Sequence, residues 1–447
     1  MHRTLSSIPP VSTSHGVGLK RVLLASHESG CSLTQIAVTE ILQGQIAVAH
    51  THPDMQEGFY VLSGQLEVTL DGQPELCQPD DFIYVPSGTS HELRALTDCR
   101  IMTIGCVIEA HRNKLYPFLF KPNRKTLVWG TEDWTVSAVP GSEGEIENGT
   151  WARYRLTDVI QQMPEEILGK EVARKYHGQL PILTKVIDAR QDLSIQVHPN
   201  DEMAKREHDK FGKTEMWYVL DAQPGAYLYA GFKQHITPEE YKQRVADGTI
   251  VEALARHEVH PGDVFYLPAG RVHAICGGIR LAEVQQSSDV TYRIYDYDRP
   301  GLDGRPRELH TDLAAQAIDF KVYDEYRTDY KPPIPEDSDT ARGTSTIIAS
   351  PYFNVKVMEC TQIIHRNLLR HDSFIIVMCL EGRCKIRIRQ TQDEVTLSQG
   401  DTTLIPAAVA DYEVIPLEGT VRHLEAFIDN MDTTLAGKLT RFLHLPR

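Results

Sequence analysis

The stretch Gly262-Asp-Val-Phe-Tyr-Leu-Pro-Ala-Gly-Arg-Val-His273 combines a Gly-Asp turn, a short apolar run and a second turn at Pro-Ala-Gly. Related stretches occupy 80–91 and 400–411. Apolar runs rich in aromatic and β-branched residues, bounded by turn residues, are typical of buried β-strands. Each stretch is preceded by another apolar run that ends in turn residues, at 57–64, 215–222 and 375–382. This threefold repetition predicts three β units of one architecture.

Length and composition agree with three domains. The 447 residues correspond to about three domains of roughly 150 residues each, and 41% of the residues are hydrophobic and 24% charged. Helical signals fall only in the middle: capping boxes begin at Thr237 and at Thr249, the second preceding a helix to Arg256, and 157–175 has helical spacing. We expect a mainly β fold with domains at 1–112, 113–335 and 336–447, with linkers near 110–122 and 330–340.

The charge balance excludes some classes of partner. There are 46 basic and 61 acidic residues, giving a net charge of −15 with no basic block, so a nucleic acid would be repelled. No apolar run is long enough to suggest a membrane span, and the first 20 residues lack a secretory pattern. The eight cysteines are scattered without a C-x-x-C spacing. We therefore expect reduced thiols and a cytoplasmic location.

The first unit carries a set of residues suited to a metal. His50 and His52 are two residues apart on a predicted strand and share one face, while Glu57 and His91 come from neighbouring strands. Three imidazoles and a carboxylate suit a first-row divalent metal with coordination positions left open; the alternative is a strand with surface histidines. The spacing resembles both motifs of the cupin family, except that Asp80 replaces a glycine. The resemblance implies cupin-type jelly-roll barrels and a metal, of identity left open, at His50, His52, Glu57 and His91.

The middle unit repeats this pattern with one change. Gln196 and His198 occupy the two same-face positions, Glu215 opens the next strand, and His273 ends the second motif. A neutral amide in place of an imidazole would leave a bound metal more electron-poor and a stronger Lewis acid. The alternative interpretation is a buried glutamine with histidines that serve only the core.

Three longer stretches of the middle unit, 181–202, 213–220 and 283–296, closely resemble the type I mannose-6-phosphate isomerases. The resemblance extends from Pro122 to the C-terminus, although the usual Trp-Gly-Gly appears as Trp129-Gly130-Thr131. It implies an aldose-ketose isomerase that interconverts mannose 6-phosphate and fructose 6-phosphate. It also implies zinc at Gln196, His198, Glu215 and His273, phosphate binding by Lys185 and Ser194, and a reacting end lined by Lys213, Glu283, Asp289 and Arg293.

The chemistry of such a reaction fits these residue types. Moving a proton between C1 and C2 through a cis-enediol(ate) requires an electrophile for the developing oxyanion and a base. Zinc and Arg293 suit the first task. Lys213, which would lose its proton more readily beside a metal and Arg293, and Glu283 compete for the second. The alternatives are a solvated Lys213, a structural Glu283–Arg293 ion pair, and exposed strand positions for Lys185 and Ser194.

The last unit keeps the strand pattern but not the ligands. In the first unit, the ligands His50, His52 and Glu57 lie at fixed spacings before Gly64. The same spacings before Gly382 lead to Leu368, Arg370 and Ile375. Asp411 stands where a histidine is expected, and His371 is one residue off and thus on the opposite face. We expect a metal-free structural barrel, and the resemblance agrees.

The role of the first unit is open, since isomerases of this family normally work without it. It could catalyse a reaction of its own, such as epimerisation or anomer exchange, bind a sugar, or hold a homodimer together through the barrel faces. For the whole chain, two other functions compete: isomerisation of another, unphosphorylated sugar, and a non-enzymatic role as a sugar-binding cupin regulator.

Overall fold

A computed structural model describes residues 2–13, 16–25, 28, 33–52, 55–107, 115–330 and 344–429. Strands account for 47% of the residues and helices for 15%, so the predicted mainly β, cupin-type class is confirmed. The chain forms two compact units, the N-terminal unit (1–114) and the large unit (115–447). Within the described ranges, no helix has both the length and the hydropathy needed to cross a bilayer.

The N-terminal unit consists of two antiparallel sheets after a short 3-10 helix at Leu5–Ser7. One sheet has the strand order β1-β2-β3-β10-β5-β8 and the other β4-β9-β6-β7. Val61 of the first sheet and Val68 of the second are completely buried in one shared core, so the sheets pack face to face. The strands are β1 Val11–Ser12, β2 Leu19–Ala25, β3 Leu33–Ile41, β4 Ile46–His50, β5 Met55–Ser63, β6 Leu66–Leu70, β7 Gln73–Cys77, β8 Phe82–Val85, β9 His91–Ala95 and β10 Cys99–Val107.

The first part of the large unit also has two facing sheets. Its strands are β11 Phe118–Lys121, β12 Asn123–Leu127, β13 Gly130–Val136, β14 Glu145–Ile146, β15 Ile182–Ala189, β16 Ile195–Val197, β17 Glu215–Ala222, β18 Tyr227–Phe232, β19 Leu254–Glu258, β20 Val264–Leu267, β21 His273–Ile275, β22 Ile279–Gln286 and β23 Tyr292–Tyr295. The orders β12-β13-β15-β22-β17-β20 and β19-β18-β21-β16-β23 define the two sheets. Trp217 and Leu228, one from each sheet, are buried in a common core. We call this part the middle barrel.

The described part of the large unit contains six α-helices. They are α1 Leu156–Gln162, α2 Pro164–Leu168, α3 Lys170–Lys175, α4 Asp201–His208, α5 Pro238–Ala246 and α6 Thr311–Ala317, with 3-10 turns at Gly149–Trp151 and Ile250–Ala253. The Thr237 hydroxyl accepts a hydrogen bond from the Glu240 N–H, so the first predicted capping box is confirmed. The helical segment 157–175 is divided by Pro164 and by Gly169, whose φ is 92°.

The helix predicted at Glu252–Arg256, after the capping signal at Thr249, is wrong. The Thr249 side chain makes no capping hydrogen bond, and after one 3-10 turn the chain continues as β19. β19 pairs with β18, so strand pairing satisfies the backbone groups of 254–258. A local capping signal is thus overridden by the sheet edge beside it.

The C-terminal strands form a third assembly. They are β24 Thr344–Ala349, β25 Asn354–Cys360, β26 Ile364–Asn367, β27 Ile375–Ile388, β28 Glu394–Ser398, β29 Thr402–Ile405 and β30 Asp411–Phe427, with 3-10 turns at Leu369–His371 and Ala407–Val409. The sheet order is β14-β11-β29-β27-β30-β25-β24, with β26 on β30 and β28 on β27. β11 and β14 come from the segment before 335 yet pair in this sheet, so the division at 335/336 stays a proposal. The expected linkers at 110–114 and 331–340 lie outside the described residues.

Strand register tests the count of ligand positions in the C-terminal strands. In the middle barrel the ligand Glu215 pairs with Leu267, the residue before a proline. Ile375 pairs with Ile405, which also precedes a proline. Ile375 therefore occupies the position that corresponds to Glu215, as predicted. Asp411, however, pairs with Asn367. The first ligand position is therefore Asn367 and not Leu368, because the chain enters a 3-10 turn at Leu369–His371 that shifts the count. Arg370 and His371 lie in that turn and not on a strand face.

Candidate metal centres and active site

Four side chains of the middle barrel meet where β16, β17 and β21 approach one another. Gln196 pairs directly with His273 across two strands, and Glu215 opens β17. The His273 Nε2 atom is 3.0 Å from Glu215 Oε1, and His198 Nε2 is 3.5 Å from the same oxygen. The Gln196 amide nitrogen lies 3.3 Å from His273 Nε2. Ligand atoms of the two histidines and Glu215 all lie within 4.8 Å of one another, so the predicted set converges.

Backbone carbonyls fix both imidazoles in the orientation that a metal requires. His198 Nδ1 is 3.0 Å from the Val290 carbonyl oxygen, and His273 Nδ1 is 2.9 Å from that of Arg271. An imidazole that donates its Nδ1–H to a carbonyl presents the lone pair of Nε2. Both lone pairs then face Glu215.

The protonation states at this centre also suit a cation. Glu215 is completely buried, and neither of its carboxylate oxygens has a hydrogen bond among the described residues. Burial alone would raise the pKa of Glu215, but the charges of Lys213, His198 and His273 bring it well below its usual value. Burial and Lys213 lower the pKa of His198 to about 3. An ionised carboxylate beside a neutral imidazole, that of His198, is a state that binds a divalent metal.

Lys213 is part of this centre. Its Nζ atom is 3.0 Å from His198 Nε2 and 3.3 Å from Glu215 Oε2, and only 5% of the residue is exposed. The alternative interpretation of Lys213 as a solvated loop residue is therefore wrong.

Lys185 and Glu283 form a buried ion pair beside the centre. They face each other across β15 and β22, with Nζ 2.9 Å from Oε1. Trp217 Nε1 donates to Glu283 Oε2 at 2.8 Å. Burial alone would lower the pKa of Lys185, whereas Glu283 and Glu132 raise it above its ordinary value. The alternative placing Lys185 on an exposed position is wrong, and the structural partner of Glu283 is Lys185 rather than Arg293.

The remaining predicted residues make contacts of their own outside the four-ligand group. Arg293 pairs with Gln196 in β23, but its guanidinium donates to the Glu308 carbonyl oxygen at 3.0 Å; burial lowers its pKa. Asp289 is partly exposed and forms an ion pair with Lys210. Ser194 is buried immediately before β16, so its interpretation as an exposed strand residue is wrong.

Two residues of this region were missed by sequence reasoning. Trp134 lies opposite Lys185, and Glu132, two residues earlier on the same face, has Oε2 at 3.8 Å from Lys185 Nζ. Trp134 Nε1 donates to Glu132 at 2.7 Å, and the pKa of Glu132 is lowered: burial opposes this change, but Lys185 and the indole outweigh it. A carboxylate on the inner face of a strand was the signal that could have identified Glu132. Nearby, Lys125 Nζ lies 3.3 Å from the centre of the Trp134 ring.

The N-terminal unit has a second convergent group. His50 pairs with His91 across β4 and β9, and Glu57 Oε2 lies 3.4 Å from His52 Nε2 and 3.2 Å from His91 Nε2. Their ligand atoms also lie within 4.8 Å of one another. His50 and His91 again place Nδ1 near carbonyl oxygens, those of Val48 at 2.8 Å and Thr89 at 3.2 Å.

Burial and charge distinguish this group from surface histidines. Burial alone would raise the pKa of Glu57, but the neighbouring imidazoles of His52 and His91 lower it to about 2. His91 is 1% exposed, and its Nε2 makes no hydrogen bond of acceptable geometry within the described residues. The surface interpretation is therefore wrong for Glu57 and His91, and the residues fit a metal.

The departure at Asp80 has a local explanation. The equivalent turn residues Gly262 and Gly400 have φ values of 94° and 93°, and Asp80 adopts 78°. Aspartate is among the few residues other than glycine that tolerate this region, and the Tyr60 hydroxyl donates to its carboxylate at 2.8 Å. The turn is therefore preserved without glycine.

Comparisons with known proteins agree with this architecture. Family models match at 37–105 (cupin domain), 123–225 (phosphomannose isomerase type I, catalytic domain) and 343–424 (mannose-6-phosphate isomerase, cupin domain). The mannose-6-phosphate isomerase ManA of Bacillus subtilis is 32% identical over 320 residues, which cover 67% of this chain and 95% of that protein. The mannose-6-phosphate isomerase of Streptococcus mutans is 31% identical over 63% of this chain and 84% of its own length. A crystal structure of the Bacillus subtilis mannose 6-phosphate isomerase superposes with a TM-score of 0.60 at 28% identity, covering 69% of this chain and 99% of that one.

Proposed function

Because the chain belongs to the family of type I mannose-6-phosphate isomerases, we propose that its large unit interconverts mannose 6-phosphate and fructose 6-phosphate in a zinc-dependent reaction. One observation carries the proposal: the buried Glu215 carboxylate has no hydrogen bond among the described residues and faces the Nε2 atoms of His198 and His273. The Lys213 ammonium, 3.3 Å from Oε2, offsets part of this buried charge, and a metal ion bound between the two imidazoles would satisfy Oε1.

Zinc is the proposed ion because the donors are two imidazoles, one carboxylate and one amide. Imidazole and carboxylate ligands suit zinc, and catalytic zinc sites keep a position open for water or substrate. A 180° flip of the Gln196 side-chain amide would direct its oxygen, rather than its nitrogen, toward the metal. Such a flip changes the shape of the side chain very little, because the amide oxygen and nitrogen are similar in size. When bound, the ion would polarise the sugar oxygens at the reacting carbons.

Lys213 is the proposed base. Its Nζ contacts two of the ligand side chains, so it borders the place where the reacting carbons would lie. A neighbouring dication would favour the neutral amine, which accepts the proton from one carbon and returns it to the next. Glu283 is the competing choice, but its Oε1 is ion-paired with Lys185 and its Oε2 accepts a hydrogen bond from Trp217. We therefore assign to Glu283 the orientation of the sugar hydroxyls.

The phosphate is proposed to meet cations at the same end of the middle barrel. Lys185 and Ser194 remain the predicted ligands, although Lys185 also holds Glu283. Lys125 interacts electrostatically with Glu132, Lys185 and Asp289 and thus adds a cation near this pair. Arg293, in the strand beside Gln196, is proposed to contact the sugar oxygens.

The N-terminal unit is proposed to bind a second divalent metal at His50, His52, Glu57 and His91. We also propose that the chain is cytoplasmic, forms homodimers through barrel faces, and consists of barrels at 1–112, 113–335 and 336–447. The first of these barrels corresponds to the cupin match at 37–105.

A coupled assay on the purified full chain tests the main proposal. We expect turnover of both phosphosugars, its loss on chelation, and its return with zinc. Absence of chelator-sensitive turnover would reject the proposal. Turnover of free mannose or lyxose with an unchanged KM in Lys185→Ala would instead support an isomerase of an unphosphorylated sugar. A thermal shift with sugar but no product would support a non-enzymatic regulator.

A further inference from the structure

A cavity of about 70 Å³ lies in the N-terminal unit beside the histidine group. His50, Glu57 and His91 form one side of it. The apolar part of its lining, called the apolar wall below, includes Val17, Ile41, Phe59 and Leu93. The polar part includes Lys20, Gln35 and three threonines, Thr13, Thr39 and Thr103. The cavity therefore combines polar metal-ligating groups, one ammonium and an apolar surface.

Lys20 is a half-buried cation that forms no direct ion pair in the described part of the chain, although the charge of Glu57 acts on it. Its Nζ donates to the neutral Gln35 Oε1 at 3.0 Å, and no carboxylate of the described residues lies within 4.0 Å of it. The next residue, Arg21, does have an acidic partner, because its guanidinium lies 3.0 Å from the Glu40 carboxylate. A partly desolvated ammonium is stabilised by an anion, and the cavity is the space that Lys20 shares with the histidine group.

Charge and coordination number specify the kind of ligand. Three neutral imidazoles and the Glu57 carboxylate would leave a divalent ion with one net positive charge, and Lys20 adds a second. Four protein ligands leave about two positions of a six-coordinate ion open. An anion with two donor oxygens on adjacent atoms satisfies both conditions.

Size limits the ligand further. At about 10–15 Å³ for each water-sized occupant, the cavity holds roughly five to seven non-hydrogen atoms. A hexose phosphate is much larger. The enclosed space therefore fits a ligand smaller than the hexose phosphate proposed for the large unit.

We propose that this cavity binds a short 2-hydroxy- or 2-oxocarboxylate, with Lys20 as its counter-ion and the apolar wall as the contact for its alkyl end. The inference rests on the metal proposed at His50, His52, Glu57 and His91. It is independent of the isomerase activity proposed for the large unit.

The test uses the full chain carrying His198→Ala, so that cobalt is held only by the N-terminal group. Metal analysis should give one Co²⁺ per chain, and titration with lactate or pyruvate should change the visible Co²⁺ spectrum saturably. Lys20→Met should keep its cobalt and melting temperature but bind lactate about tenfold or more weakly, an effect of about 1.4 kcal/mol or more. Arg21→Met removes one charge from the same strand and should bind lactate as the parent does.

Each other outcome is decisive. A chain with markedly less than one Co²⁺ contradicts the metal proposal and the inference with it. A cobalt-loaded chain that is insensitive to lactate and pyruvate overturns the inference alone. So does equal affinity in Lys20→Met, equal binding of the neutral lactamide, or competition by mannose 6-phosphate. Isomerase turnover of the wild type, assayed in parallel, reports separately on the large unit.

Discussion

Lys185 and Glu283 face each other across two neighbouring strands, with Nζ and Oε1 2.9 Å apart and both side chains almost completely buried. The pair lies in a row of inward-facing residues that crosses the sheet, because Trp134 pairs with Lys185 and Trp217 pairs with Glu283. Glu215 is two residues from Trp217 on the same face of β17. The ion pair and the metal ligand are thus positioned by one sheet.

The first prediction concerns the stability of this pair. Lys185→Met should lower the free energy of unfolding by about 3–5 kcal/mol, because it leaves a buried carboxylate without its cation. Urea unfolding of the metal-free protein measures the change. The double variant Lys185→Met/Glu283→Gln should lose less than Lys185→Met alone. The control is Lys233→Met, which removes an exposed lysine. If Lys185→Met were as stable as Lys233→Met, the structural ion pair would be contradicted.

The second prediction concerns acid sensitivity of the metal-free protein. The pKa of His198 is about 3 in the folded chain, below its ordinary value, so the unfolded state binds more protons on acidification. This contribution is complete above about pH 6.5 and should decrease by about 3 kcal/mol on going to pH 4.5. Urea unfolding of EDTA-treated protein at both pH values should show it.

A matched variant isolates the contribution of His198. Burial also lowers the pKa of His50, His257 and His310, so these groups add to the same slope. His198→Gln should therefore show a smaller loss between pH 7.5 and 4.5 than the parent. Identical losses would mean that His198 titrates normally.

The third prediction separates the two competing bases. Lys213→Met should lower kcat by about 10²–10⁴-fold while its zinc content is retained, because a group that transfers a proton has been removed. Exchange of the C2 hydrogen with solvent deuterium, followed by NMR, should fall in parallel. If Glu283→Gln stops exchange and Lys213→Met does not, the assignment is reversed.

The fourth prediction concerns the join between the helices and the C-terminal strands. The Asp372 carboxylate accepts hydrogen bonds from the N–H groups of Lys170 and Glu171 at 3.1 and 2.9 Å, capping α3 from a distant part of the chain. Asp372→Ala should cost about 1 kcal/mol of unfolding free energy. Asp372→Asn keeps an acceptor and should cost less. A thermal melt that does not distinguish Asp372→Ala from wild type would argue against this cap.

Sequence patterns predicted the parts of the site that depend on strand periodicity and turn chemistry. His50 and His52 converge as predicted, although β4 ends at His50 and His52 lies beyond it. The strand that leads from Glu215 to its turn survives in the structure because a buried sheet permits only one register. The Lys185–Glu283 pair could not be predicted, since it depends on which strands are neighbours. Glu132 was missed for the same reason. The first ligand position of the last unit was miscounted because a 3-10 turn inserted at 369–371 leaves no trace in hydrophobic periodicity.

The most direct test of the central claim is metal analysis combined with the isomerase assay on wild type, His198→Ala and His52→Ala. We predict two metal ions and full turnover for wild type. His198→Ala should hold one ion and be inactive, and His52→Ala should hold one ion and remain active. The account would be contradicted if His198→Ala kept both its metal and its turnover, because the group at Gln196, His198, Glu215 and His273 would then not be the catalytic centre.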